Sequence, residues 1–186
     1  MQKYRPPQVT YAVDIQEGAI EQLKLGIEHS QTTGIIPVCV DLKELWEDAP
    51  RGMLDLVTCN PPYKVVGAGF ESAIDAQRIA RHEIMCTIDD VCAAAEKLLK
   101  FGGRLCVCNR PERLSDVIFA MKSNNIEPKR IRFVSKNPDE APWLFLIEGK
   151  KGSKPFMKVE PQLYIRSGEG FSEELQKIYD TGKESL

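Results

Sequence analysis

Apolar residues arrive in short blocks, and the period of those blocks changes along the chain. "VTYAVDI" (residues 9 to 15) has the composition of a strand and carries an acid, Asp14, at its end. In "EGAIEQLKLGIEHSQ" the apolar Ile20, Leu23, Leu25 and Ile27 recur near helical spacing. "IIPVCVDL" predicts a second strand closing on Asp41, Leu42 to Glu47 a short helix, and "LDLVTC" (54 to 59) a third strand. After a long loop, a helix is predicted from Asp89 to Lys100, stopped by Gly102-Gly103. "RLCVCN" then reads as a strand and "RLSDVIFAMKSNN" as a helix. "KRIRFVSK" and "PWLFLIEGKK" are strands close enough to pair antiparallel, and a last helix starts after Ser172, a good N-cap. Strands alternating with helices predict an α/β chain with a mostly parallel, doubly wound sheet and an antiparallel edge strand. No repeat or linker interrupts residues 1 to 186, so the chain reads as one domain.

The third strand stops abruptly at Asn60-Pro61-Pro62-Tyr63. Consecutive prolines cannot continue a strand or a helix, because each lacks the backbone donor and fixes φ. Asn60 therefore begins a rigid loop at the carboxyl end of a strand, where open α/β sheets bind ligands. Such a loop suits one particular task. An exocyclic amine on a base is a poor nucleophile because its lone pair is delocalised into the ring. The Asn60 carboxamide oxygen and the Pro61 carbonyl can each accept a hydrogen from it, drawing the lone pair back onto nitrogen. Positioning and fixed dipoles then do most of the work, with no strong general base. Tyr63 can stack on an extruded base. A stiff turn is the plainer alternative. Asp14 and Asp41 can accept hydrogen bonds from ribose hydroxyls or an adenine amine, or each can cap the helix that follows it.

Composition narrows the class. With 42% hydrophobic and 28% charged residues and a net charge of −2, the chain suits a soluble globular domain with a real core. No apolar run approaches the roughly 20 residues that span a bilayer, and "MQKYRPPQ" is no signal peptide, which together predict a cytoplasmic protein. Six cysteines without a CxxC pair, and only two histidines, predict reduced, buried thiols and no metal site. The modest net charge hides an asymmetry. Residues 1 to 99 carry 9 Lys/Arg against 15 Asp/Glu, whereas residues 100 to 160 carry 13 against 7. A basic second half suits an anionic partner such as nucleic acid, or is an ordinary dipolar surface.

These segments together resemble the S-adenosylmethionine-dependent methyltransferases of Rossmann-like fold that modify amino nitrogens. Within them the chain is similar to the bacterial adenine-N6 methyltransferases that act on valine tRNA beside the anticodon. The resemblance runs from about Val9 to Tyr179 and rests on "VDIQ", "VTCNPPY", "ARHE" (80 to 83), "GGRLCVCNRPERL" (102 to 114), "KRIRFV" (129 to 134) and "DEAPWLFLIEGKKG" (139 to 152). Asn-Pro-Pro-Tyr alone is shared with DNA adenine and protein glutamine methyltransferases, and the later segments favour the tRNA enzymes. The resemblance implies S-adenosylmethionine as cofactor and tRNA as partner; the sequence does not give the oligomeric state, and a monomer is the expectation. It places Asp14 and Ile15 at the cofactor ribose, Asp41 and Leu42 at its adenine, and Asn60, Pro61, Pro62 and Tyr63 at the target base, with Asn60 also bordering the cofactor.

Around these lie candidate substrate contacts. Arg78, Arg81 and His82 can steer RNA phosphates or order the loop over the base, or simply lie at the surface. Phe70 can line the base pocket or pack. Arg110, Arg113, Lys129, Arg130 and Arg132 are clustered cations of the kind phosphate contacts need, or a solvated basic face. One part of the family pattern is absent. Members carry a strand and a glycine-rich loop before the strand of Asp14, yet only 13 residues precede Asp14 here and none is glycine. "YIRSGEGFSEEL" has strand, glycines and helix in that order, which admits a circular permutation. The expectation is an amino-terminal truncation lacking the central strand between those of Asp14 and Asn60, with S-adenosylmethionine bound weakly or not at all. DNA, ribosomal RNA or a protein glutamine as acceptor, or an inactive RNA-binding fragment, are the alternatives.

Overall fold

The structure, a computed structural model, describes residues 7–61, 86–168 and 170–180. It divides into two compact units, residues 1–48 with 173–186, and residues 49–172. In the first, β1 (Thr10–Asp14) pairs parallel with β2 (Ile35–Cys39) and is joined to it by helix α1 (Glu17–Ser30), which lies against both. Ile20 is the residue this helix buries fully. The expected helix after Asp41 is not formed. Residues 42 to 44 make only a turn, closed by Glu44 N–H to the Asp41 carbonyl at 3.0 Å. Leu45 then takes φ +54, a left-handed conformation that no helix continues through. Leu45 is nevertheless buried, so tertiary packing overrides helix propensity here.

The second unit is built on a six-stranded sheet. Strands β3 (Leu54–Cys59), β4 (Leu99–Asn109), β6 (Leu144–Lys151), β5 (Ile126–Ser135) and β7 (Lys158–Val159) follow in that spatial order, and β8 (Leu163–Tyr164) also pairs with β5. β3 and β4 are parallel, and β6 runs antiparallel to both β4 and β5. The antiparallel strand therefore sits inside the sheet rather than at its edge. A two-residue pair, β9 (Arg166–Ser167) with β10 (Gly170–Phe171), precedes the final helix α4 (Glu173–Asp180). Ser172 stands immediately before this helix, and its hydroxyl donates to the Tyr164 carbonyl at 2.6 Å. Among the described residues, β1 lies in its own two-stranded sheet with β2, and β3 ends the six-stranded one.

Two helices cover one face of the larger sheet. Helix α2 (Ile88–Leu98) lies against β3 and β4, and α3 (Leu114–Ser123) against β5 and α2. Thr87 starts α2 with a reciprocal capping box: its hydroxyl accepts from Asp90 N–H at 3.2 Å, and the Asp90 carboxylate accepts from Thr87 N–H at 2.8 Å. Val91, Cys92, Ala95 and Leu98 of α2 and Val117, Ala120 and Met121 of α3 are buried there, as are Leu105, Val107, Phe145, Ile147 and Ile131 of the sheet. The helix ends two residues before the expected stop. Leu99 turns extended at φ −71, ψ 138, and the chain enters β4 at once, so the two glycines fall inside the strand. Gly102 takes φ +77 in an irregular stretch where the β3–β4 register shifts, and a β-carbon on Gly103 would stand 2.9 Å from the Leu54 carbonyl oxygen. No helix of the described residues is long and apolar enough to cross a membrane.

Phe145 is fully buried at the centre of this unit, on β6 between β4 and β5. Truncating it to alanine is expected to cost about 3–5 kcal/mol, read as a lower urea midpoint at unchanged m-value. A loss below roughly 1 kcal/mol would contradict this placement of the core.

Candidate functional site

The carboxyl end of β3 presents Asn60. The ladder sets Thr58 beside Cys106 and Cys59 beside Val107, so Asn60, one residue on, stands level with Cys108. The Cys108 thiol donates to Asn60 Oδ1 at 2.9 Å. That contact fixes the direction of the carboxamide oxygen. Asn60 is exposed and Pro61 half-buried. Pro62, Tyr63, Phe70, Arg78, Arg81 and His82 lie outside the described residues.

A cavity of about 490 Å³ opens along the sheet face not covered by α2 and α3, and Asn60, Cys106, Cys108 and Leu146 form part of its wall. Its volume is in the range of small-ligand pockets. Arg130 and Arg132 line it too, but as members of a charge ladder rather than as a bare basic patch. Arg104 pairs with Glu148 at 2.5 Å, Arg130 stands 3.8 Å from Glu148 and 3.3 Å from Glu160, and Lys158 pairs with Glu160 at 3.0 Å. The Lys158 ammonium, with Arg130 and Arg132 adding to it, holds the Glu160 carboxyl below its usual range. Arg132 donates to the Pro161 carbonyl at 2.7 Å. The other cations are placed elsewhere. Arg110 lies 5.9 Å from the Trp143 ring centroid and Arg113 pairs with Asp116 at 2.7 Å, both following the end of β4. Lys129 donates to the Lys154 carbonyl at 3.1 Å. Arg110 and Arg113 thus follow the end of β4, while Lys129, Arg130 and Arg132 lie on β5.

Two residues that pattern reading passed over belong to this site. Cys108 holds Asn60, and Asn109 closes β4, buried, with its Oδ1 accepting from Arg110 N–H at 2.8 Å. The available signal was a repeat: "TCN" ends β3 and "VCN" ends β4. The thiols differ in setting. Cys92 alone is buried and Cys39 is exposed, against the expectation of six buried thiols, though all six are thiols rather than disulfides. Burial pushes the Cys59 thiol up to about 11, with Cys86 and Cys108 nearby adding to it, and pushes Cys92 up to about 12, with Asp89 adding. Burial, then Glu148, raises Cys106 as well. These three thiols stay neutral near pH 7 and are not nucleophiles. Among the described residues no group of His, Cys, Asp or Glu could hold a metal ion.

In the smaller unit, Asp14 and Asp41 close or follow adjacent parallel strands. Asp14 Oδ1 accepts from Gln16 N–H, and Asp41 Oδ1 from Lys43 N–H, each at 2.9 Å. The helix-cap alternative fails for both acids: α1 has Gln16 at its N-cap position, and no helix follows Asp41. Each carboxylate spends one oxygen on its own turn, and Asp41 Oδ2 also stands 3.5 Å from the Lys43 ammonium. Ile15 is exposed and Leu42 half-buried beside them.

No protein-family model matches this chain, and no curated protein does. Solved structures do resemble it. A predicted O-methyltransferase, Atu636 from Agrobacterium tumefaciens, superposes with a TM-score of 0.73 at 16% identity, over 92% of this chain and 77% of that one. The fold is that of the Rossmann-like class I methyltransferases. A SAM-dependent methyltransferase from Aquifex aeolicus matches with a TM-score of 0.54 at 11% identity, over 76% of this chain and 68% of its own. Geranyl diphosphate C-methyltransferase from Streptomyces coelicolor A3(2), solved with Mg²⁺, geranyl diphosphate and S-adenosyl-L-homocysteine, gives 0.53 at 10% identity, over 76% and 64%. At these identities the likeness is one of fold.

Thiol burial has a pH consequence. In the folded chain Cys92 stays protonated to about 12, whereas in the unfolded chain it ionises near the ordinary value of 9.0. Folding stability should therefore be constant below that value and fall as pH rises above it, by up to about 1.4 kcal/mol per unit. Melting temperatures of wild type and Cys92→Ala between neutral and alkaline pH check this. The variant's curve should be the flatter one, and parallel curves would contradict the assignment.

Proposed function

We propose that the chain is an S-adenosylmethionine-dependent methyltransferase whose acceptor is the exocyclic N6 of an adenine in RNA, specifically valine tRNA beside the anticodon. The observation that carries this reading is Asn60 at the carboxyl end of β3, its carboxamide oxygen aimed by Cys108. An amine held by that oxygen and by the Pro61 carbonyl has its lone pair localised on nitrogen, which is what an exocyclic base amine lacks by itself. Pro61 and Pro62 keep the two acceptors at a fixed spacing. The fold shared with methyltransferase structures supports the reaction class. The sequence resemblance supports the adenine and the tRNA.

S-adenosylmethionine supplies the electrophilic methyl group when bound. The acids of the smaller sheet sit at adjacent strand ends, which suits ribose hydroxyls and an adenine amine, so Asp14 with Ile15 and Asp41 with Leu42, once Lys43 gives way, are the residues that would hold it. Tyr63 stacks on the base in this reading, with Phe70, Arg78, Arg81 and His82 beside it, while Arg110, Arg113 and Lys129 meet phosphates. Arg130 and Arg132 are already matched to Glu148, Glu160 and a backbone carbonyl, so their part is to hold the cavity wall.

The test is tritiated methyl transfer to valine tRNA, duplex DNA and a release factor in parallel, by wild type and Asn60→Ala. Transfer to the tRNA should fall by about 10²–10³ in the variant, with S-adenosylmethionine affinity largely unchanged. Equal transfer by the variant would remove Asn60 from its role. Transfer preferred to DNA or protein would move the acceptor. Salt-sensitive tRNA binding with no transfer at all would mark an RNA-binding fragment instead.

A further inference from the structure

The turn between β6 and β7 incurs two costs without a packing return. Phe156 takes φ +133, a conformation that β-carbon-bearing residues rarely adopt, and its side chain is 83% exposed. An aromatic ring held in water on strained backbone is unexplained by the core. The turn is also tied in place. Lys129 donates to the Lys154 carbonyl at 3.1 Å, and Gly152 packs beneath the ring of Phe101, itself 81% exposed. Two outward aromatic rings are thus joined by a lysine-rich stretch, "KKGSKPFMK". Lys150 reaches Gly102, next to Phe101, and Lys154 stands two residues before Phe156; among the described residues neither forms an ion pair with an acid.

We propose that Phe156 and Phe101, with the neighbouring Lys150 and Lys154, form a second contact surface for single-stranded RNA, the rings stacking on bases and the lysines meeting phosphates. Stacking needs a rigid, exposed π-face and tolerates any base, whereas phosphate contact needs clustered cations without fixed spacing. Both conditions are met here. The surface is remote from Asn60: Phe101 lies near the start of β4 and Cys108, level with Asn60, near its end. By the β3–β4 register the two ends are at most about six ladder steps apart, on the order of 20 Å at about 3.3 Å per residue, a span a folded tRNA can bridge and a free nucleotide cannot. The inference rests on a nucleic-acid acceptor and adds where else that acceptor is held.

Fluorescence anisotropy of a labelled oligoadenylate of roughly ten nucleotides tests it, with no cofactor or transfer step involved. Phe156→Ala and Phe156→Gly should each weaken binding about tenfold, and Phe156→Tyr should restore it. Melting temperature should be unchanged in Phe156→Ala and unchanged or higher in Phe156→Gly, because glycine accepts φ +133. The Lys150→Gln/Lys154→Gln pair should reduce the slope of log affinity against log salt by about 1–2. Wild-type binding that survives Phe156→Ala overturns this surface and leaves the acceptor standing. No wild-type binding overturns the surface, while methyl transfer to valine tRNA decides the acceptor separately. Binding to phosphatidylglycerol vesicles in preference to RNA, or a melting temperature lowered by Phe156→Gly, also overturns it.

Discussion

The parallel ladder between β3 and β4 fixes how far Asn60 stands from Cys108, and most of the site follows from that spacing. From Leu54 to Leu56 is two steps on β3, but their partners Leu99 and Arg104 are five apart on β4. The excess is odd. Side chains alternate between faces with a period of two, so an odd excess decides which face each later residue of β4 presents. With it, Cys106 and Cys108 share the open face with Asn60, while Leu105 and Val107 enter the core. The extra residues are accommodated where Gly102 can take φ +77 and Gly103 can approach the Leu54 carbonyl. A glycine pair that looks like a helix stop in fact sets the geometry of a hydrogen bond at the far end of the strand.

The same open face explains why so many charges sit on a sheet. Glu148 of β6 faces Arg104 of β4 on one side and Arg130 of β5 on the other, and Glu160 continues the series to Lys158. Cross-strand neighbours of opposite sign stabilise adjacent strands modestly, about 0.2–1 kcal/mol each. Their larger effect is on what the cavity offers. Its apolar floor of Cys106, Cys108 and Leu146 is bordered by charges that already have partners, so an entering anion would have to displace an internal acid. Lys150 and Lys154 lie at the other end of the sheet, near Phe101 and Phe156.

How much of this could be read from sequence depends on whether a feature is local. The stop at Asn60 was legible because proline forbids continuation, whatever surrounds it. The order of strands and helices was legible from periodicity, including the antiparallel pair of β5 and β6. The Leu42 to Glu47 helix failed because burial of Leu45 in a left-handed conformation outweighed propensity. The end of α2 was misplaced because Leu98 and Leu99 are both fully committed to the core, and the strand begins there. The Cys108–Asn60 contact joins residues 48 apart, and only the ladder register brings them level. The cations of the second half look alike in sequence, and their division into ion pairs, a ring contact and a tether comes from strand pairing that composition does not encode.

The central claim is that Asn60 holds an exocyclic amine of adenine. It is met most directly by nucleoside mass spectrometry of valine tRNA after incubation with the 186-residue chain and S-adenosylmethionine bearing a deuterated methyl group. The account predicts the label on adenine N6, at one nucleotide beside the anticodon. Label on a ring nitrogen, a ring carbon or a ribose hydroxyl would contradict it, because none of those acceptors needs the paired oxygens that Asn60 and Pro61 provide.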